Sequence, residues 1–530
     1  MASLDAQKAF DTVDHEVLFN KLYHLGIKGH LWLLLRNLYR NANVRVKWNG
    51  NLSDEFTMLQ GTKQGAKLST TLYKCYNNST LDCLVRSNLG AYIGNIPVAA
   101  PTCADDIALL ANSQENLQSM LNIIEFCSKK DKVTINPEKS EILPIKVKHL
   151  NPMFLNGKEI NQTDNLKHLG IVRTSKNTLN TEDRLKIARQ TIYALLGPGL
   201  HARRGLSPKV AVKLWKTYVL PRSLYGIEVL QNRKTDIERL EKQQRQMLKH
   251  FQGLPERTAT VGVHILLGAE PIESIIDKQK LSLFMNICRL SGSTECKVLS
   301  RQLVMSKPTD RSFASNIKDI LQKYSLPSAR SLINNPVNKP RWKQMVEKAV
   351  SNYWYLEWVT QLQEKSTLKY LQIQDSPIQK AHNLWNAVQP YEHDVKQAEV
   401  KARLITGTYI LQTNTAKFNQ AEISGRCHLC QKADENLQHF LLDCPELQTS
   451  RTKGKQLLKA TLEKIHPEGY NKVKEPIKML QVILDCTHKD VAKWIYLKEK
   501  DLHDIERATQ AYCFHLHNQR VLKLTTSSNS

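Results

Sequence analysis

The chain has 530 residues, with 75 Lys and Arg against 50 Asp and Glu, a formal net charge of +25. That length supplies several domains with buried cores, and so large a cationic excess argues against an ordinary metabolic enzyme and for a polyanionic partner. Nucleic acid is the first candidate and an anionic membrane surface the second. No run reaches the roughly 18 apolar residues of a spanning helix, and Met1-Ala2-Ser3-Leu4-Asp5 lacks the apolar core of a signal peptide. The expectation is an intracellular protein of the nucleus and/or cytoplasm with no membrane partner, its 11 cysteines mostly reduced.

In chain order, Leu4-Asp5-Ala6 opens a first block, followed by stretches 16–25 and 29–39 with apolar residues at helical spacing. Residues 44–48 alternate as a strand, Asn49-Gly50-Asn51 is a turn, and 56–59 returns. Gly61-Thr62-Lys63-Gln64-Gly65 then forms a polar loop opening a helix over 69–88; two glycines four apart let a substrate approach the backbone closely. Residues 90–101 read as strand and turn, 102–111 as a hairpin, and 116–127 as an amphipathic helix. Residues 133–144, carrying Lys139, read as a loop leading into a strand, with further strands at 153–155 and 165–172. Strands and helices mixed in this order imply an α+β fold around an antiparallel sheet.

The hairpin holds Ala104-Asp105-Asp106 between short apolar runs, with the two aspartates predicted as its turn. Neighbouring carboxylates repel, and burying them is costly without a cation. Mg²⁺ is the simplest neutraliser, because it takes carboxylate oxygens together with substrate phosphates; the alternative is a solvated Asp-Asp turn. Asp11 and Asp14 are read as local caps for the helix starting near His15.

Taken together, Asp5…Phe10, Gly61-x-x-Gln64-Gly65, Ala104-Asp105-Asp106, Asn136-x-x-Lys139 and Leu169-Gly170 resemble, in order and rough spacing, the palm motifs of reverse transcriptases. The form is similar to that of non-long-terminal-repeat (non-LTR, LINE-type) retrotransposons. The resemblance implies an RNA-directed DNA polymerase that joins deoxynucleotides to a primer 3′ end with two Mg²⁺ ions. Asp5 and Asp105 would be the principal metal-binding pair and Asp106 the third carboxylate. Phe10 would lie under the sugar, Gln64 and Gly65 would line the template and incoming nucleotide, Lys139 would protonate pyrophosphate, and Leu169-Gly170 would grip the primer. The implied partners are an RNA template, a DNA primer or target, and deoxynucleoside triphosphates. Only four residues precede Asp5, and Cys103 stands where the family usually has an aromatic; the expectation is a copy shortened at its 5′ end. A nucleic-acid-binding remnant without catalysis, and a structural helical protein with a basic surface, are the rival readings.

Beyond the palm, taken as 1–175, residues 176–300 are helical by spacing and resemble a thumb, with Arg203, Arg204, Lys209, Lys213 and Lys216 crowded together for phosphate contacts. Residues 301–340, rich in Ser, Pro, Asn and Lys, read as a linker, and 341–425 as a helical region whose aromatics are expected in a core, with stacking on bases as the alternative. Cys427, Cys430, His439 and Cys444 form a C-x2-C-x8-H-x4-C pattern, four ligands suited to one tetrahedral Zn²⁺, within 426–446. His428, between two of the cysteines, is expected to point away. The pattern also resembles the zinc knuckle downstream of the polymerase in LINE-type elements. A helical, basic tail fills 447–530.

Overall fold

The computed structural model describes residues 1–63, 65–147, 150–175, 181–200, 206–230, 232–307, 310, 312–373, 378, 380–418 and 424–528. Gln64, Arg203 and Arg204 lie outside the described residues. Two compact units make up the chain: Met1–Asn180 with Leu290–Ala314, and Thr181–Arg289 with Ser315–Ser530.

The first unit runs β1 (Ala2–Ala6), α1 (His15–His24), α2 (Gly29–Tyr39), β2 (Asn43–Val44), β3 (Lys47–Trp48), β4 (Asn51–Leu52), β5 (Phe56–Thr57) and α3 (Lys67–Arg86). It continues with β6 (Tyr92–Ile93), β7 (Ile96–Pro97), β8 (Thr102–Cys103), β9 (Asp106–Leu109), α4 (Gln114–Lys130), β10 (Ile135–Ile142), β11 (Phe154–Leu155), β12 (Lys158–Glu159), β13 (Asn161–Gln162), β14 (Asn165–His168) and β15 (Ile171–Thr174). The central sheet has the order β13-β10-β1-β9-β8, antiparallel except where β13 joins β10.

β1 alternates. Ala2, Leu4 and Ala6 are buried, whereas Ser3 and Asp5 are only half-buried on the opposite face, as the two-residue period of a strand requires. The buried face joins Ile107, Leu109, Ile135 and Ile142 in one core with Leu18 and Leu22 of α1, Leu72 and Tyr76 of α3, and Met120 and Ile124 of α4. Each fully buried aliphatic side chain there contributes about 1.5–3 kcal/mol. The helices begin where the sequence supplies acceptors: Asp14 caps α1 through Val17 N–H at 2.9 Å, and Ser113 caps α4 through Asn116 N–H at 3.2 Å.

Three local expectations differ. The strand expected over 165–172 is a hairpin of β14 and β15 that turns at Leu169-Gly170. The turn between β8 and β9 is Ala104-Asp105, not Asp105-Asp106, because Cys103 pairs with Asp106, which makes Asp106 the first residue of β9. Ala104 there takes φ +58°, a left-handed conformation uncommon for any residue that carries a Cβ. Lys139 lies on strand β10 rather than on a loop; a bulge between the pairs Asp5↔Asn136 and Ser3↔Glu141 absorbs the extra residues, among them Pro137.

In the second unit come α5 (Thr181–Leu195), α6 (Pro208–Leu214), α7 (Leu220–Ser223), α8 (Lys234–Phe251), α9 (Thr260–Leu267) and α10 (Ile272–Arg289). After α11 (Thr294–Met305) of the first unit it resumes with α12 (Phe313–Lys323), which starts at the boundary, α13 (Ala329–Asn334), α14 (Lys339–Gln363), α15 (Asn383–Asn386), α16 (Glu392–Ile405) and α17 (Gln412–Phe418). The last helices are α18 (Gln448–Ile465), α19 (Gly469–Val473), α20 (Pro476–Leu484), α21 (Lys489–Trp494) and α22 (Glu499–Ser528). Lys209 and Lys213 are exposed and Lys216 is half-buried.

The expected linker at 301–340 carries helices instead, the end of α11, then α12 and α13. Ile317, Ile320, Leu321 and Leu332 are buried, so the apolar residues hold helical spacing, while Ser328 and Asn338 serve as helix caps. The aromatics of α14 do belong to a core: Trp342, Trp354 and Trp358 are buried, and the Trp342 indole N–H donates to Leu281 O at 3.1 Å. No helix among the described residues is long and apolar enough to cross a membrane.

Candidate active site and candidate metal centre

Strand register brings the aspartates together. The pairs Ala2↔Leu109, Ser3↔Ala108 and Leu4↔Ile107 place Asp5 opposite Asp106, with Asp105 one residue earlier on the turn. Antiparallel neighbours share a face, so Asp5 and Asp106 both lie on the side of the sheet away from the helical core. Asp5 and Asp105 are half-buried and Asp106 is exposed. Burial raises the Asp105 carboxyl above its ordinary value, a backbone N–H opposes this, and the charges of Asp106 and Asp5 add to the rise.

Supporting groups surround them. Asp5 N–H donates to Ser140 Oγ at 3.2 Å, and Ser140 Oγ donates to Asn136 O at 2.7 Å, so the bulge on β10 fixes the backbone of Asp5. Asn77 on α3 holds the turn through Ala104 O at 3.4 Å. Ser3 Oγ, on the Asp5 face, lies 3.3 Å from His168 Nδ1. Burial holds His168 below the ordinary histidine value, opposed by the charge of Asp106 and reinforced by that of Arg173. Ser3 was detectable in the alternation of β1; nothing in the sequence reading pointed to His168, Ser140 or Asn77.

Phe10 is half-buried against the buried Tyr73 ring, with centroids 4.8 Å apart, and its carbonyl accepts Thr62 N–H at 2.7 Å. The neighbouring Gly61 N–H donates to Val13 O at 2.7 Å, with φ at +90°. A Cβ on Gly61 would sit 2.8 Å from the Asp11 carbonyl oxygen, so only glycine fits. Gly65, at φ +79°, faces open space. Leu169 and Gly170, at φ +51° and +72°, form the two-residue turn between β14 and β15, as a tight hairpin requires. Lys139 is exposed on β10.

The second site is tighter. The ligand atoms of Cys427, Cys430, His439 and Cys444 all lie within 4.8 Å of one another, and no acidic group among the described residues reaches that compactness. Bond lengths of about 2.3 Å to sulfur and about 2.05 Å to nitrogen, at tetrahedral angles, require S···S near 3.8 Å and S···N near 3.6 Å. Cys427 Sγ to Cys444 Sγ is 3.9 Å, and Cys430 Sγ to His439 Nε2 is 3.4 Å. The donor set therefore fits zinc in identity and spacing.

Burial raises the Cys427 thiol and pushes Cys444 up to about 12, and it holds His439 below its ordinary value, the neutral form that ligates metal. Cys430 is held low despite burial, chiefly by the Lys432 N–H. His428 points away, near Gln412 at 3.4 Å.

The frame around this cluster was not readable beforehand. Buried Arg451 donates to Cys444 O at 2.7 Å and to Leu441 O at 3.2 Å. Buried Glu435 accepts both Nε and Nη2 of Arg520, at 2.8 and 2.9 Å.

Comparison with known proteins agrees with the arrangement around Asp5. Residues 1–172 match the family described as "Reverse transcriptase (RNA-dependent DNA polymerase)". These residues are a reverse-transcriptase domain. The chain is 25% identical over 270 residues to "Retrovirus-related Pol polyprotein from type-1 retrotransposable element R2" of Nasonia vitripennis, covering 49% of this chain and 25% of that protein. It is 30% identical over 186 residues to the corresponding polyprotein of the type-2 element R2DM of Drosophila melanogaster, covering 32% and 17%. With "Transposon TX1 uncharacterized 149 kDa protein" of Xenopus laevis it shares 31% identity over 176 residues, covering 32% and 13%. The chain thus spans a quarter or less of the length of these three relatives. All three relatives are named for mobile elements, the retrotransposable elements R2 and R2DM and the transposon TX1.

Proposed function

We propose that the chain is the RNA-directed DNA polymerase of a non-LTR retrotransposon, adding deoxynucleotides to a primer 3′ end on an RNA template. The observation that carries this reading is the β1–β9 register, which sets Asp5 beside Asp106 with Asp105 on the adjoining turn. Two Mg²⁺ ions held there would polarise the attacking 3′-hydroxyl and neutralise the leaving pyrophosphate. Asp5 and Asp105 bind the metals, and Asp106 is the third carboxylate. Phe10, braced by Tyr73 and Thr62, lies under the deoxyribose and excludes a 2′-hydroxyl. Gly65 and Gln64 border the template and incoming nucleotide. The Leu169-Gly170 turn supports the primer, and Lys139 meets the departing pyrophosphate.

In this reading the residues up to about 175 are the palm, the helices that follow 180 are the thumb, and 426–446 is a zinc knuckle with one structural Zn²⁺ on Cys427, Cys430, His439 and Cys444. The net charge of +25 supports nucleic acid as the partner. The test is primer extension by the purified chain on a primed RNA with Mg²⁺ and deoxynucleoside triphosphates. Extension is expected. Binding of the primed RNA without any incorporation would overturn the catalytic reading and leave a binding protein.

A further inference from the structure

In the second unit, a cavity of about 770 Å³ opens between the turn at 253–257, the C-terminal end of α16 and the last turns of α22. Three guanidinium groups line it: Arg257, Arg403 and Arg520. Each is held in place. Arg257 Nη2 donates to Thr408 O at 3.1 Å, Arg403 Nε donates to Gly253 O at 2.9 Å, and Arg520 grips Glu435. Glu435 neutralises Arg520, whereas Arg257 and Arg403 form no ion pair within 4.0 Å among the described residues and donate to neutral carbonyls. Glu399, one turn before Arg403 and against Gly253, is an acidic group that the charge of Arg403 reaches. Glu256, at the rim, is the one carboxylate lining the cavity among the described residues. A guanidinium has five donors, so both arginines retain a fork free for an oxyanion while their stems are already ordered, which lowers the entropic cost of binding.

The cavity touches functional ground at both ends. Tyr409, on its wall, stacks on Phe440 at 5.3 Å, next to the candidate zinc ligand His439, and bonds His517 Nδ1 at 2.8 Å. Leu254 and Glu256 also wall a second cavity, of about 580 Å³, between α5 and α8. That one carries Lys242, Arg245 and Lys249, with the exposed ring of Tyr193. A row of cations with an aromatic platform thus runs from α8, over the turn at 253–257, to the Cys427 cluster. Cationic grooves with a stacking ring are what single-stranded nucleic acid requires.

We propose that the Arg257–Arg403 cleft is a phosphate-binding site that takes a phosphodiester of a nucleic-acid strand and leads it from the α8 groove to the zinc knuckle. This rests on the nucleic-acid-binding reading above and adds the path of the strand.

The test is binding of a fluorescent single-stranded RNA to the full chain, measured by anisotropy over a range of salt concentrations. Each phosphate contact contributes about −0.7 to the slope of log K against log salt on a single strand. Arg257→Gln is expected to flatten the slope by about that amount, the double variant Arg257→Gln with Arg403→Gln by about twice it, and Arg257→Lys to retain it. Lys500→Gln, an equal loss of charge about 30 Å away along α22, is expected to leave the slope as it is. Thermal melting of each variant confirms that it is folded, and the single Arg257→Gln exchange carries the test if the double variant is not.

Wild-type slopes in the Arg257 and Arg403 variants, with RNA still bound, would overturn the proposed path while sparing the wider reading. No RNA binding by the wild-type chain would overturn both. Inorganic phosphate separates the two sources of the anion. If it raises the melting temperature of the wild type but not of Arg257→Gln, while both bind RNA with equal slopes, the cleft takes free phosphate and the strand path is wrong.

Discussion

Gly61→Ala is a demanding check on how Phe10 is held, because the structure separates its costs. Gly61 and Gly65 both sit at positive φ, +90° and +79°, and an alanine at either meets the left-handed penalty of about 1–2 kcal/mol. At Gly65 a Cβ meets open space, and that penalty is the whole cost. At Gly61 the Cβ lands 2.8 Å from the Asp11 carbonyl oxygen and 3.1 Å from its carbon, and a backbone contact of that kind cannot be relieved by a rotamer change. The segment must move, loosening Gly61 N–H to Val13 O and Thr62 N–H to Phe10 O, both 2.7 Å. Two such hydrogen bonds are worth about 1 kcal/mol each. Gly61→Ala is therefore expected to cost about 3–4 kcal/mol, some 2 kcal/mol more than Gly65→Ala.

The assay is urea unfolding of both variants, followed by hydrogen exchange across residues 58–76. If the enzyme reading holds, Gly61→Ala also relaxes discrimination against ribonucleotides, because the backbone tie on Phe10 is lost. Equal stabilities for the two alanine variants, or a Gly61→Ala protein within about 0.5 kcal/mol of wild type, would refute the reasoning.

Three further outcomes are expected. Mass spectrometry under native conditions should show one zinc per chain, with Cys427→Ser or chelation removing it and lowering the melting temperature of the second unit; a metal-free chain that melts as the wild type would remove the knuckle from the account. Lys401 and Glu506, each 0% exposed and 2.7 Å apart, form a buried ion pair. Lys401→Met should cost about 3–5 kcal/mol by stranding the carboxylate, with much of it recovered in the double exchange Lys401→Met with Glu506→Leu; a double-mutant cycle reads this directly.

Buried His382 and Asp485, 3.2 Å apart, give the second unit a pH dependence. Burial opposes both charged forms, yet the imidazolium holds Asp485 down to about 2 and the carboxylate lifts His382 above its ordinary value. The Asp485 contribution is thus present above about pH 4 and lost as pH falls towards 2, whereas that of His382 is full below about pH 6.5 and lost as pH rises through its folded value. Asp485→Asn should flatten both limbs of a melting-temperature profile, and an unaltered profile would count against the pair.

Much of this was readable in the residues because local chemistry set it. Asp14 caps its helix, and the cysteine spacing closes around one point. What escaped was set by strand pairing and by packing. Asp106 belongs to the strand because it pairs with Cys103 across a two-residue turn, a register the composition of the turn does not reveal. Lys139 joined a strand because a bulge opposite Leu4, on a strand more than a hundred residues earlier, absorbed the Pro137 segment. Residues 313–334 have a linker's composition, but Ile317, Ile320 and Leu321 keep a helical face that a count of Ser and Asn hides. Arg451, Glu435 and Arg520 brace the Cys427 cluster from up to 85 residues apart, which no short pattern encodes.

The central claim is that Asp5, Asp105 and Asp106 hold the metals of nucleotide transfer. Single-turnover incorporation of one deoxynucleotide on a primed RNA, beside a separate measurement of binding, tests it for Asp105→Asn. Losing a metal ligand removes several kcal/mol of transition-state stabilisation, so a rate at least about a thousandfold lower is expected with RNA affinity unchanged. Incorporation by Asp105→Asn at the wild-type rate would contradict the account.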